Sequence, residues 1–169
     1  MQRLSSGIDS LSEWSGRAIS WLVLSMVLLV GYDVAMRYLF RSGSIALQEL
    51  EWHIFALIFL LGAAYTFKHD DHVRLDLFYQ SHWMSDYRRA WVNLLGAVLF
   101  LIPFCTLIII SSWPFVYQAY SFAESSPDPG GLPWRWLIKA TIPLGFLLLV
   151  IQGLGSAMKN LLVILKARQ

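Results

Sequence analysis

Only one cysteine, Cys105, occurs in the 169 residues, and it lies inside an apolar run, so no internal disulfide can form and the redox compartment is not encoded. Charge is scarce as well. Asp, Glu, Lys and Arg make up 14% of the chain, against roughly 25% in soluble domains. The 13 Lys and Arg are spread over termini and loops with a formal net charge of +2, and the missing dense basic tract argues against nucleic acid as a partner. Mild basicity suits a membrane surface. No Gly-rich phosphate loop, cysteine pair or serine-nucleophile motif is present, and the Ser, His and Asp of the loops have no local context that marks them as catalytic. The chain carries no enzyme signature.

What is there is hydrocarbon: 57% of residues are hydrophobic, gathered into four long runs. Crossing ~30 Å of bilayer takes about 20 helical residues. The expected fold is therefore an all-α integral membrane domain covering 1–169, with spans near 18–40, 45–67, 90–115 and 136–165. The third run is the longest. Ala90 to Ala123 holds no Asp, Glu, Lys or Arg, and as one helix it would measure ~51 Å. Tilt, a kink at Pro103 or Pro114, or a final segment in the interface would absorb the excess. The first two spans contain no proline, and Pro143 lies near the start of the fourth.

A cleaved signal peptide is the competing account of the first run. Against it stand an already long 17-residue polar leader and the lack of a small-x-small cleavage site before "YDVAMRYLF". The leader places Leu4, Ile8, Leu11 and Trp14 near one helical face, which suits either a helix lying on the membrane or a frayed polar terminus. With the N-terminus inside, nine Lys and Arg fall on the cytoplasmic side and four (Arg37, Arg41, Arg135 and Lys139) on the other. This bias predicts both termini in the cytoplasm. The outer connections are then a tight one near "RSGS" and the Pro/Gly/Ser turn region "AESSPDPGGLP". In the long inner connection, Val73, Leu77 and Phe78 recur at helical spacing, with Trp83 and Tyr87 suited to headgroups. An amphipathic surface helix between spans two and three is expected there.

The charges at the span edges call for an account, because an ionisable residue in a membrane is a functional candidate. Asp33 and Arg37 are four apart and share a helix face, so they can neutralise each other. Glu49 and Glu51 are two apart and point differently, so one faces the bundle, where it could meet Arg37, while the other reaches headgroups or a partner. Snorkelling that merely fixes the depth of the hairpin is the plain alternative. A proton or ion relay would need carboxylates at mid-depth, and the centres of the third and fourth spans have none. Of the four histidines only His53 lies in a span, which excludes bis-histidine haem; His69 and His72 in "KHDDH" read as a solvated loop rather than a metal site. No cofactor is expected.

Three stretches carry a family resemblance: "DVAMRYLF" ending the first span, "GSIALQELEWHIFALIFLLGAAYTFKHDDHVRLDLF" through the second, and "SPDPGGLPWRWLIKATIPLGFLLLVIQGL" leading into the fourth. In order and spacing, the sequence resembles the small membrane subunit, the Q or DctQ type, of tripartite ATP-independent periplasmic (TRAP) transporters. Within them it looks closest to the mannitol/chloroaromatic or 2-oxo acid branch. The resemblance implies a multi-pass protein of the bacterial inner membrane. Its implied partners are a large M-type membrane subunit, which would hold the substrate and sodium sites, a periplasmic binding protein that captures a carboxylate solute, and membrane lipids. The small subunit would enlarge the fixed scaffold against which the large one moves its transport domain. Gly62, Ala63 and Ala64, and Gly153 with Ala157, offer small surfaces for helix contacts within the bundle or with another chain. Arg41, Asp128 and Arg135 are candidates for docking the binding protein. Two other classes compete with this reading: a self-sufficient small channel or transporter, and the membrane anchor of an electron-transfer complex.

Overall fold

In the computed structural model, residues 2–69 and 84–167 are described, with side chains from residue 6 onward. The described chain is helical, and four of its helices are long and apolar enough to cross a membrane. They are α1 (Gln2–Leu39), α2 (Ile45–His69), α3 (Asp86–Ser121) and α4 (Trp136–Lys166). The expected surface helix between the second and third spans falls largely on 70–83, outside the described residues, as does His72.

Topology follows from the short connections. The 40–44 and 122–135 loops lie at one end of the bundle, here the loop end, and the start of α1, the end of α2, the start of α3 and the end of α4 at the other, the terminal end. Helix α1 stops where Arg41 takes φ 52°, a left-handed conformation that an α-helix cannot continue through. Helix α3 stops similarly. Ala123 adopts φ 45° while the Glu124 N–H donates to Ala119 O at 2.9 Å, which is the Schellman pattern.

Two expectations need correcting. The polar leader is neither a surface helix nor a frayed end, because α1 runs unbroken from residue 2 through the first span for 38 residues, a length of ~57 Å. Its polar face is matched by polar groups of α2 and α4, which makes continuation cheaper than a break. The third run is a single 36-residue helix from Asp86, longer at both ends than the expected 90–115. It contains a π-helical turn at Ala97–Leu101, where the Ile102 N–H reaches back five residues to Ala97 O. Pro103 explains the position. Its ring would strike the carbonyl four residues before it and it donates no hydrogen bond, so one widened turn absorbs the mismatch without ending the helix.

Helix α4 is the centre of the bundle. The α1–α2 hairpin packs on it from one side and α3 from the other, and α3 makes no comparable contact with α1 or α2 among the described residues. Small residues allow the approach. A Cβ on Gly145 would stand 2.6 Å from the backbone oxygen of Leu60, so α2 and α4 touch at a point where any side chain would force them apart. Gly153 and Ala157 are buried in the same way, as is Ala64 of α2, whereas Gly62 and Ala63 open onto a groove between the hairpin and α3. The small residues thus divide between the bundle's interior and an unfilled face.

Candidate functional site

The polar side chains concentrate at the two ends of the bundle, and each end has its own cluster. At the loop end, Glu49 is turned inward by the first turns of α2 and is 5% exposed. One carboxylate oxygen accepts from the Ser126 hydroxyl and the other from the Leu132 N–H at 2.6 Å. Those two loop residues are themselves joined, because Ser126 N–H donates to Leu132 O at 3.0 Å. Glu49 therefore closes the neck of the 122–135 loop. Gly131 must lack a side chain here, since a Cβ would lie 2.4 Å from Ser126 Oγ and 2.8 Å from Glu49 Oε2. Arg135 adds electrostatic attraction to Glu49, and its guanidinium sits 6.0 Å from the Trp52 ring centroid.

Asp33 and Arg37 pair with each other across one turn of α1. Asp33 is 1% exposed, whereas the Arg37 side chain is 48% exposed, so the pair runs from packed interior to surface. Glu49 is engaged with the loop and not with Arg37, and it is the more buried of the two glutamates. The Oε1 of Glu51 and the Oδ1 of Asp33 are buried without a hydrogen-bond partner among the described residues. Arg37→Ala is expected to strand the Asp33 carboxylate and cost about 2 kcal/mol, discounted because Arg37 is half in solvent. Arg41→Ala removes an exposed side chain and should stay within about 0.5 kcal/mol. Thermal unfolding of both variants in detergent checks this; equal midpoints would contradict it.

The three docking candidates all lie at this end. Arg41 is exposed on the 40–44 turn. Asp128 is exposed in the longer loop, its N–H donating to Ser126 Oγ at 3.2 Å and its carbonyl accepting from Gly131 at 3.0 Å. Arg135 is half-buried, and its N–H donates to Glu124 O at 2.9 Å. Trp134 beside it takes φ 60°, a strained conformation for so bulky a residue, and remains exposed.

The cluster at the terminal end was not foreseen. Gln152, fully buried in α4, accepts from Ser12 Oγ at 2.7 Å and donates to Asp9 Oδ1 at 3.4 Å. Lys159 reaches the same Asp9 at 2.6 Å, and Lys68 of α2 meets Glu13 at 2.5 Å with His69 3.2 Å away. Helix α1 is thereby tied to α4 and α2 at once. Close packing accompanies the bonds, with Ile8 against Gly155 and Tyr65 against Gly16. The available signal was Gln152 itself, an amide in the middle of the apolar run between Thr141 and Ser156, which needed a partner the leader could supply.

Comparison with known proteins decides the family. The family model for tripartite ATP-independent periplasmic transporters, DctQ component, matches residues 26–162. The chain belongs to the DctQ family. One relative, a TRAP transporter small permease protein of Haemophilus influenzae, is 29% identical over 130 residues, covering 74% of this chain and 79% of its own. Another, the C4-dicarboxylate TRAP transporter small permease protein DctQ of Vibrio cholerae, is 26% identical over 175 residues, covering 92% of this chain and 73% of its own. This DctQ-family chain is thus a small permease subunit, a multi-pass inner-membrane protein and not an enzyme. It belongs to a tripartite system whose other parts are a large membrane subunit and a binding protein. The loop-end cluster falls within the matched stretch, whereas Asp9, Ser12 and Glu13 precede it.

Proposed function

We propose that this subunit is a fixed scaffold in a sodium-coupled, binding-protein-dependent transporter of carboxylate solutes. The family supports the tripartite arrangement, and the C4-dicarboxylate named for the Vibrio cholerae relative supports the solute class. The observation that carries the scaffold role is the placement of charge. The paired ions described above stand at the bundle ends and hold its own helices and loop together, while the buried polar side chains of α4 are engaged within the bundle, Gln152 with Ser12 and Asp9 and Thr141 with the Ile138 carbonyl. Solute and ion sites in secondary transporters typically use broken helices whose free ends face the ligand. The π-helical turn of α3 keeps that helix continuous instead. Large-subunit binding is tested by affinity purification of the tagged chain from its native membrane. The large subunit should co-purify, and recovery of this chain without it would contradict the reading.

The Lys and Arg bias supports an orientation with both termini in the cytoplasm and the loop end outside. Arg41, Asp128 and Arg135 would then face the periplasm, where the binding protein docks. In a Cys105→Ala background, Gly43→Cys should react with an impermeant thiol reagent applied from outside, and Ser6→Cys should not. The reverse pattern would overturn the orientation.

A further inference from the structure

The apolar stretches of the four spans are out of step with one another along the bundle. On α1 the stretch without Asp, Glu, Lys or Arg is 18–32, between Arg17 and Asp33; on α2 it is 52–67, between Glu51 and Lys68; on α4 it is 140–158, between Lys139 and Lys159. On α3 it begins after Arg89, and its aliphatic part ends at Ile110, where Ser111, Ser112 and Trp113 follow. Cross-helix contacts set these stretches against α4. Ser12 bonds to Gln152, Leu60 lies against Gly145, Leu101 against Gly153, and Lys139 stands over the Phe115 ring. Arg17, five residues after Ser12, is then level with about Leu147, five before Gln152. Counted in the same way, Lys68 is level with about Gly153 and Arg89 with about Leu165. At the loop end, Asp33 is level with a point before the start of α4, Glu51 with about Trp136, and Ser111 with about Pro143. Both limits advance towards the terminal end in the order α1, α2, α4, α3.

We propose that the bilayer crosses this bundle obliquely, its hydrocarbon touching the α1–α2 hairpin nearer the loop end and α3 nearer the terminal end. The partner of this slanted band is the lipid itself, whichever end faces the cytoplasm. Because both limits move in one direction, the cause is tilt; a locally thinned bilayer would draw them together. From α2 to α3 the shift is about 7 to 12 residues, or roughly 10–18 Å. These helices pack on opposite sides of α4, ~16–20 Å apart at ordinary helix spacing. The implied tilt of ~30–45° lies at the steep end for membrane helices.

One level of the bundle shows the need most plainly. Asp9 and Glu13 of α1 are paired there with Lys159 and Lys68, while α3 presents Leu99 and Phe100, 60% and 74% exposed. Ion pairs that are part-exposed belong in water or headgroups, and the exposed Leu and Phe belong in hydrocarbon. A membrane plane at right angles to the bundle denies one of them its medium. Snorkelling does not remove the offset, because the ammonium groups of Lys68 and Lys159 are held by their carboxylates. At the loop end the contrast reverses. Tyr117 of α3, with Gln118 beside it, stands level with about Leu28, which is exposed on the apolar stretch of α1.

The test places single cysteines in a Cys105→Ala background of the full chain, labels them with a nitroxide and reconstitutes each variant in liposomes. Relative access of dioxygen and of a water-soluble nickel chelate reads the depth of each label. All four positions are exposed: Leu11→Cys and Leu99→Cys share one level, and Leu28→Cys and Tyr117→Cys another. Leu99→Cys should lie deeper in hydrocarbon than Leu11→Cys, and Leu28→Cys deeper than Tyr117→Cys, each by on the order of 10 Å, the rise set by helix spacing and tilt. Equal depths within the pairs would mean an upright bundle and overturn the proposal. So would a difference confined to one pair, or the opposite order in either.

Discussion

Replacing Glu49 with alanine is expected to destabilise the subunit by about 3 kcal/mol, from two lost hydrogen bonds to a carboxylate at ~1.5–3 kcal/mol each. For a chain of this size that corresponds to a fall in Tm on the order of 6–12 °C. The reason lies in what remains behind. Ser126 Oγ–H and Leu132 N–H would both lose their acceptor in a partly buried neck, and the attraction of Arg135 would have no counterpart. Glu49→Gln should recover most of the loss, since the amide oxygen can accept from Leu132 while its NH₂ donates to Ser126. Glu51→Ala supplies the contrast. Glu51 Oε1 is buried without a partner, so truncation removes an unsatisfied group and should leave the midpoint unchanged or slightly raised. Thermal unfolding of the three variants in detergent separates these cases; a Glu51→Ala loss as large as that of Glu49→Ala would refute the neck-closing role.

The reach of sequence reasoning differs between elements for physical reasons. Hydropathy and length announce four helices directly, because the bilayer imposes ~30 Å on any span. The Asp33–Arg37 pair is equally visible, being local to one helix. Glu49 is different: its partners lie 77 and 83 residues away, in a loop whose shape depends on Gly131 and on a helix stop at Ala123. No local spacing connects them, and Arg37, nearer in sequence, was the natural guess. The leader failed for the same reason. Read alone, Asp9, Ser12 and Glu13 belong to water, and only the fold brings them to Gln152, Lys159 and Lys68. The extra length of α3 beyond residue 115 was visible as an uncharged run, but tilt, kink and interfacial end all fitted it. The wider turn before Pro103 is a fourth outcome, in which the helix keeps its length.

The second large effect concerns transport. A subunit whose charges are engaged in holding its own ends together should matter to uptake through assembly and not through chemistry. Its two locks act on different contacts. The terminal-end network fixes a 38-residue α1 against α2 and α4, and the loop-end neck fixes the surface that holds Asp128 and Arg135. Omitting the chain should therefore abolish uptake by the other two components, while substitutions at Arg41, Asp128 and Arg135 should weaken productive engagement of the binding protein. Neither change should alter which solute is preferred, because a scaffold makes no differential contact with competing solutes.

That separation is the most direct test of the scaffold role: measure solute uptake and solute competition in liposomes containing the large subunit, the binding protein and this chain, in wild-type and Arg41→Ala, Asp128→Ala and Arg135→Ala forms. Uptake that requires this chain, falls in the variants and keeps the same order of solute preference is the predicted result. A changed order of preference with the other two components held fixed, or undiminished uptake without this chain, would contradict it.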